Sequence, residues 1–276
     1  MIRGKTAAVS SESDLNLQHL LPGSFLIISV LLTACRRETA LLPDQREAIQ
    51  SRVTNSFAYT VLFKPVETET NAATALRLAP LILQEVMDTN AAALWRDQFG
   101  SGASGPMVHA ESGSVLVNGR AHEQHWFTWR YPPRQAQGIR LTLNASGEPV
   151  IWEVLADSTG ADVIYVAQSL ELAACAEFGP PLPGRKFSIE RSLVEVPRTV
   201  VANVIDDGPL PMGPVVYLRP DTHDVSTLIC RCMASQGGTL LGQTNYELRV
   251  NSTQTNKPPV FRSEQLEERL RLPRSF

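Results

Sequence analysis

Cysteine is scarce in this chain: four in 276 residues, at positions 35, 175, 230 and 232. So few exclude the disulfide-dense small scaffolds, in which bridges replace a hydrophobic core. An uninterrupted apolar run of the ~20 residues that a spanning helix needs is also missing; the stretch from Leu20 to Ala34 is broken by Pro22-Gly23. Charge of one sign is lacking, with 25 basic against 28 acidic side chains and a formal net charge of -3. Without a basic excess, no nucleic-acid partner is expected. The Gly-x-Ser-x-Gly elbow of the common hydrolases is absent as well, and with it that nucleophile signature.

What is present is an ordinary folding composition, 43% hydrophobic and 19% charged, which fits a folded domain rather than a disordered chain. Nineteen prolines and seventeen glycines imply many turns and short elements. Residues 71–99 carry the helical signal. Leu76, Pro80, Leu83 and Met87 recur at spacings of three and four, with a break expected at Pro80 because proline lacks a backbone donor. Ala91 to Phe99 continues as a further helical piece. From about residue 108 the period changes to two. Asn118-Gly119 joins Ser114–Val117 to His122–Tyr131 as a hairpin, since both turn positions favour positive φ. Ile139–Leu143 and Val150–Leu155 pair across Asn144–Gly147. Asp162–Ser169, Phe187–Val196, Thr199–Ile205, Val215–Arg219 and Thr227–Met233 follow as strands. Short gaps favour antiparallel neighbours over crossovers. The expected fold is α+β, with short N-terminal helices packed on a mostly antiparallel sheet. Its body spans residues 58–250, and residues 251–276 form a tail with a short helix at 263–272.

Leu32-Thr33-Ala34-Cys35 ends the apolar run Phe25–Leu32, and a polar segment follows. An apolar stretch, two small residues and a cysteine resemble the lipobox of bacterial lipoproteins. The resemblance covers residues 24–35 only. It implies a signal peptide over residues 1–34, recognised through Leu32, Thr33 and Ala34, and a lipidated Cys35 at the new N-terminus. Each buried methylene of such a lipid contributes ~0.8 kcal/mol, so two or three acyl chains anchor stably. Residues 35–57 then read as a polar tether. In that family an aspartate after the cysteine favours the inner membrane; Arg36 stands here, which implies the outer membrane. The same Arg36 and Arg37 are positive charges that oppose export. They leave a second topology open, a membrane-anchored body facing the cytoplasm.

Motifs that carry chemistry fail on spacing or context. Gly100–Gly105 has the glycine pattern of a dinucleotide site, but a helix-like segment precedes it and an extended run follows, the reverse of what the pyrophosphate needs. His122 and His125 stand three apart where a zinc helix needs four, and on a strand they point to opposite faces. Asp157-Ser158-Thr159-Gly160 reads as a turn. Trp126 points to one side of its strand, Trp129 and Tyr131 to the other. The least empty constellation is Asp221, His223 and Asp224 with Cys230 and Cys232, since thiolates with imidazole suit zinc or copper(I). His223, Cys230 and Cys232 are therefore the candidate metal ligands. Cys175 with Cys230 or Cys232 is the candidate disulfide, three buried thiols being the alternative. No cofactor and no catalytic residue is assigned. The sequence reading is a lipid-anchored cell-envelope protein acting as a binding or assembly module. Its partners would be the membrane, through the lipid, and an envelope protein or glycan. An envelope enzyme or metal binder using the 221–232 region is the alternative.

Overall fold

The computed structural model describes residues 40–52, 59–66, 73–87, 106–130, 136–208, 212–230, 239–250 and 266–276. The chain divides into two units, Met1–Arg37 and Glu38–Phe276, and only the second contains described residues. The lipobox, Cys35 included, lies outside them.

The α+β expectation is wrong. Among the described residues strand makes up 49% against 17% helix, and eleven strands form one large, nearly closed, barrel-like sheet with a few short helices. In chain order the elements are α1 (Pro43–Ser51), β1 (Tyr59–Pro65), α2 (Ala73–Leu78), β2 (Leu81–Glu85), β3 (Met107–Val117), β4 (Arg120–Arg130), β5 (Ala136–Leu143) and β6 (Pro149–Leu155), then β7 (Asp162–Ala167), α3 (Gln168–Phe178), β8 (Thr199–Ile205), β9 (Val215–Leu218), β10 (Val225–Ile229), β11 (Thr239–Val250) and α4 (Leu266–Arg269). Across the sheet the order is β10-β9-β2-β1-β11-β3-β4-β5-β6-β7-β8.

Three expectations fall with it. The helical spacing over 71–87 belongs to a six-residue helix and then a strand: Pro80 stops α2, and Leu81–Glu85 pairs antiparallel with β1. The helical piece expected at 91–99 lies outside the described residues. The strand expected at 187–196 is a set of turns with a single bridge, Glu190 to Leu270, because the Glu190 carboxylate accepts from the backbone of Lys186 (2.9 Å) and Phe187 (3.0 Å) and folds the chain back on itself. Antiparallel neighbours do not dominate everywhere either. β1–β11, β11–β3, β2–β9 and β7–β8 are parallel, since β11 inserts between β1 and β3 and α3 makes a crossover from β7 to β8, the connection a parallel pair requires.

The hairpins read from sequence form as expected. Asn118 (φ 49°) and Gly119 (φ 74°) supply the two positive-φ turn positions between β3 and β4, and β5 pairs with β6 around Asn144–Gly147. Registers fix two faces on the β4–β7 meander. His125, Leu141, Trp152 and Tyr165 form one cross-strand row; Trp126, Arg140, Glu153 and Ile164 form the other. The first row lines the concave side. Its Tyr165 hydroxyl donates to the Ser226 carbonyl on β10, at the opposite edge of the sheet (3.2 Å), and burial pushes that phenol above its usual pKa. Phe127, Trp129, Ile139, Leu141 and Tyr165 fill the interior and are almost fully buried. The second row faces outward and is roofed. Leu170 and Ala174, one turn apart on α3, are buried there, and so are Leu266, Leu270, Leu272 and Phe276 of the 266–276 segment. The expected tail is thus, over 266–276, part of the core. Part of the expected tether is structured too. α1 lies along the edge strand β8, where Gln50 donates to the Val201 carbonyl (3.1 Å) and Arg46 to the Thr199 carbonyl (2.8 Å). Covering an edge in this way blocks pairing with another chain.

Candidate functional site

The 221–232 constellation does not assemble. Asp221, His223 and Asp224 sit in the turn before β10, and Cys230 follows its last residue. β10 runs between His223 and Cys230 and, at ~3.3 Å per residue, its four steps alone span about 13 Å, so the two stand at opposite ends of the strand. A candidate metal set of His223, Cys230 and Cys232 cannot converge across that span; Cys232 itself is outside the described residues. The turn residues have structural partners. Asp224 accepts from the Ser158 backbone (3.1 Å) and hydroxyl, joining this turn to the β6–β7 turn. Asp221 is exposed near Arg219 (3.8 Å), and its carboxyl is held below the usual range chiefly by a hydrogen bond from the Thr222 backbone. His223 is buried in a left-handed conformation, φ 56°. Among the described residues, no three His, Cys, Asp or Glu side chains are grouped to hold a metal.

Cys175 and Cys230 are not joined to each other. Cys175 is exposed on α3, while Cys230 borders a cleft at the other end of β10. His122 and His125, expected on opposite faces, are so placed and are both buried. His122 donates from Nδ1 to the Leu143 carbonyl (3.0 Å) and stacks on Phe276 at 4.3 Å between centroids. His125 meets Glu123 at 2.8 Å; burial lowers its pKa more than Glu123 raises it. Trp126 covers Gly113, where even a Cβ would meet its ring at 2.7 Å. Trp129 is buried in the interior, and Tyr131 lies outside the described residues.

Two features were not read from sequence. One is the cleft beside Cys230, between the β5–β6 turn and the chain after β8, lined among others by Glu148, Trp152, Asp206, Asp207 and Met212. Asp207 is committed to the fold: its carboxylate accepts from the Ser169 backbone (2.8 Å) and hydroxyl (2.7 Å) at the start of α3, where negative charge suits the helix dipole. Glu148 accepts from Asn144 (2.9 Å) within the hairpin turn. The enclosed space is only about 60 Å³, close to two water molecules at ~30 Å³ each and far under the ~300 Å³ at which small-molecule sites begin.

The other is a buried ionic triad on the roofed face. Glu153 receives Arg140 through Nε and Nη2, the latter at 2.5 Å, and Arg269 through Nη2. Burial opposes the charge on Glu153, but Arg269 and then Arg140 overcome it and hold the carboxyl below its usual range. With all three heads nearly solvent-free, the triad locks the 266–276 segment onto β5 and β6. The sequence carried half of this signal: Arg140 and Glu153 are the charged residues inside otherwise apolar paired strands.

No protein-family model, curated protein or solved structure matches the chain. Among the described residues, no helix is long and apolar enough to cross a membrane.

Proposed function

We propose that the chain is a lipid-anchored protein of the bacterial cell envelope, held by acylated Cys35, whose sheet body is a binding or assembly module. One observation carries the module reading: the concave side of the described sheet is filled. Aromatic and aliphatic side chains occupy the concave side of the sheet, the acidic and thiol groups named above stand at opposite ends of β10, the cleft beside Cys230 is too small for a metabolite, and the larger recess of about 540 Å³, bordered by Asn118, Phe178, Arg191 and Arg271, is a groove open to solvent. A body of this kind acts through its surface. The Leu32–Cys35 motif supports the anchor, and Arg36 after the cysteine supports the outer membrane as its address.

The test is metabolic labelling with a palmitate analogue in the native host. The wild type takes up label, while Cys35→Ala takes up none and accumulates as the longer precursor. Equal labelling of both proteins would defeat the anchor reading. Protease added to intact and then permeabilised cells decides the topology: an envelope-facing body is cut only once the outer membrane is opened.

A further inference from the structure

The anchor, if it is Cys35, constrains which end of the body meets lipid, and that end carries a distinctive surface. Val194 is 92% exposed, Leu42 60% and Leu193 39%. These three aliphatic side chains belong to one place. The Leu41 backbone donates to the Pro197 carbonyl (3.4 Å), and the 192–196 turn is closed by Val196 N–H to the Ser192 carbonyl (3.3 Å). Arg46 of α1 donates to the carbonyls of Val196 and Pro197. Leu193 is packed over Gly184, so the turn is held rather than loose.

Resting on the reading above, we propose that Leu42, Leu193 and Val194 form a tip that dips into the bilayer surface and seats the body on the membrane. Chain length argues for this occupant. Six residue steps separate Cys35 from Leu41, and at ~3.6 Å each they reach at most about 22 Å however they run. A lipid on Cys35 therefore keeps this end of the sheet beside the membrane. β8 begins here at Thr199 and ends at Ile205 beside the cleft, about 20 Å away at ~3.3 Å per residue, so the cleft faces away from the lipid.

Charge decides how the tip binds. Two basic side chains at this end are turned onto the protein: Arg185 onto the Arg191 carbonyl (2.5 Å) and Glu190 (3.5 Å), and Arg198 onto the Gly160 carbonyl (3.0 Å). Asp44, Glu47 and Glu195 are exposed. Lys186, also exposed, and Arg36 and Arg37 beside the anchor in sequence are thereby offset, so this end has no basic excess and the contact is apolar insertion. It is a second, weak attachment that acts with the acyl chains.

The experiment uses the lipidated full-length protein in vesicles of zwitterionic phosphatidylcholine and phosphatidylethanolamine, after intact mass has shown whether Cys35 is acylated. Amide hydrogen exchange is compared between wild type and the Leu42→Asp/Val194→Asp double variant. Neither change threatens the fold, since Val194 is exposed and aspartate is a good N-cap at position 42; equal melting temperatures confirm it. At residues 192–196 the variant is expected to exchange at least tenfold faster, and wild-type protection is expected to survive 0.5 M salt. Equal exchange in the two acylated proteins would overturn the tip while leaving the anchor intact. Protection lost in high salt would overturn insertion in favour of charge. A Cys35 without acyl chains would overturn the anchor reading itself.

Discussion

Replacing Glu153 with glutamine keeps the shape of the side chain and removes the charge between Arg140 and Arg269. Both guanidiniums are nearly solvent-free, at 4% and 8% side-chain exposure, so neither can turn to water without moving its element. Breaking a buried pair in this way costs about 3–5 kcal/mol, because it strands uncompensated charge. For a body of this size each kcal/mol shifts the melting temperature by roughly 2–4 °C, which gives a fall of about 6–20 °C in a calorimetric scan of Glu153→Gln. The acid limb should change with it. The folded pKa of Glu153 is lowered, so its contribution is full above the unfolded value of ~4.3 and is lost as pH falls through the folded value. The variant should lose that part of the acid dependence. Removing all three charges together, as Arg140→Met, Glu153→Leu and Arg269→Met, should restore most of the loss, because the desolvation of the ions disappears with them. A single variant that melts within 1 °C of wild type, or a triple variant no better than the single one, would refute the argument.

Other parts of the fold give sharper local tests. Phe276→Ala should cost about 3–5 kcal/mol in urea denaturation, since this buried ring stacks on His122 and pins the 266–276 segment. Gly138→Ala should destabilise or prevent folding, because a Cβ there would lie 2.2 Å from the Phe127 carbonyl oxygen on the paired strand; a variant of normal stability would mean that β4 and β5 are not in this register. His125 has a lowered pKa through burial, so it withdraws stability as pH falls below its unfolded value of ~6.5. His125→Gln should flatten that part of a melting-temperature profile against pH. In the folded protein a maleimide should modify Cys175, exposed on α3, ahead of the half-buried Cys230; equal rates would contradict their placement.

How much of this was legible depended on the range of the interactions. The Asn118-Gly119 turn was readable because two adjacent residues set their own φ, and the β5–β6 hairpin because its turn and both strands lie within twenty residues. The helical spacing of Leu76, Pro80, Leu83 and Met87 misled because it spans an element boundary. Leu83 packs as a strand residue, and Met87 is exposed. β11 was missed because it is held by neighbours far away in sequence, β1 and β3, and only one end of its own pattern is apolar and buried. The triad shows the same divide. Arg140 and Glu153 could be paired across a readable hairpin, while Arg269, 116 residues from Glu153, could not. At the candidate site, residues 221–232 are close in sequence but a strand runs between them, and an extended chain separates what a turn would bring together. The filled interior and the small cleft depend on how an eleven-stranded sheet curls, which no local pattern encodes.

The central claim is the anchor at Cys35, and intact mass of protein extracted from the native membrane tests it most directly. The account predicts a chain that begins at Cys35 and carries a diacylglyceryl group with an additional N-terminal acyl chain. A protein that retains residues 1–34, or begins at Cys35 without added lipid, would contradict it.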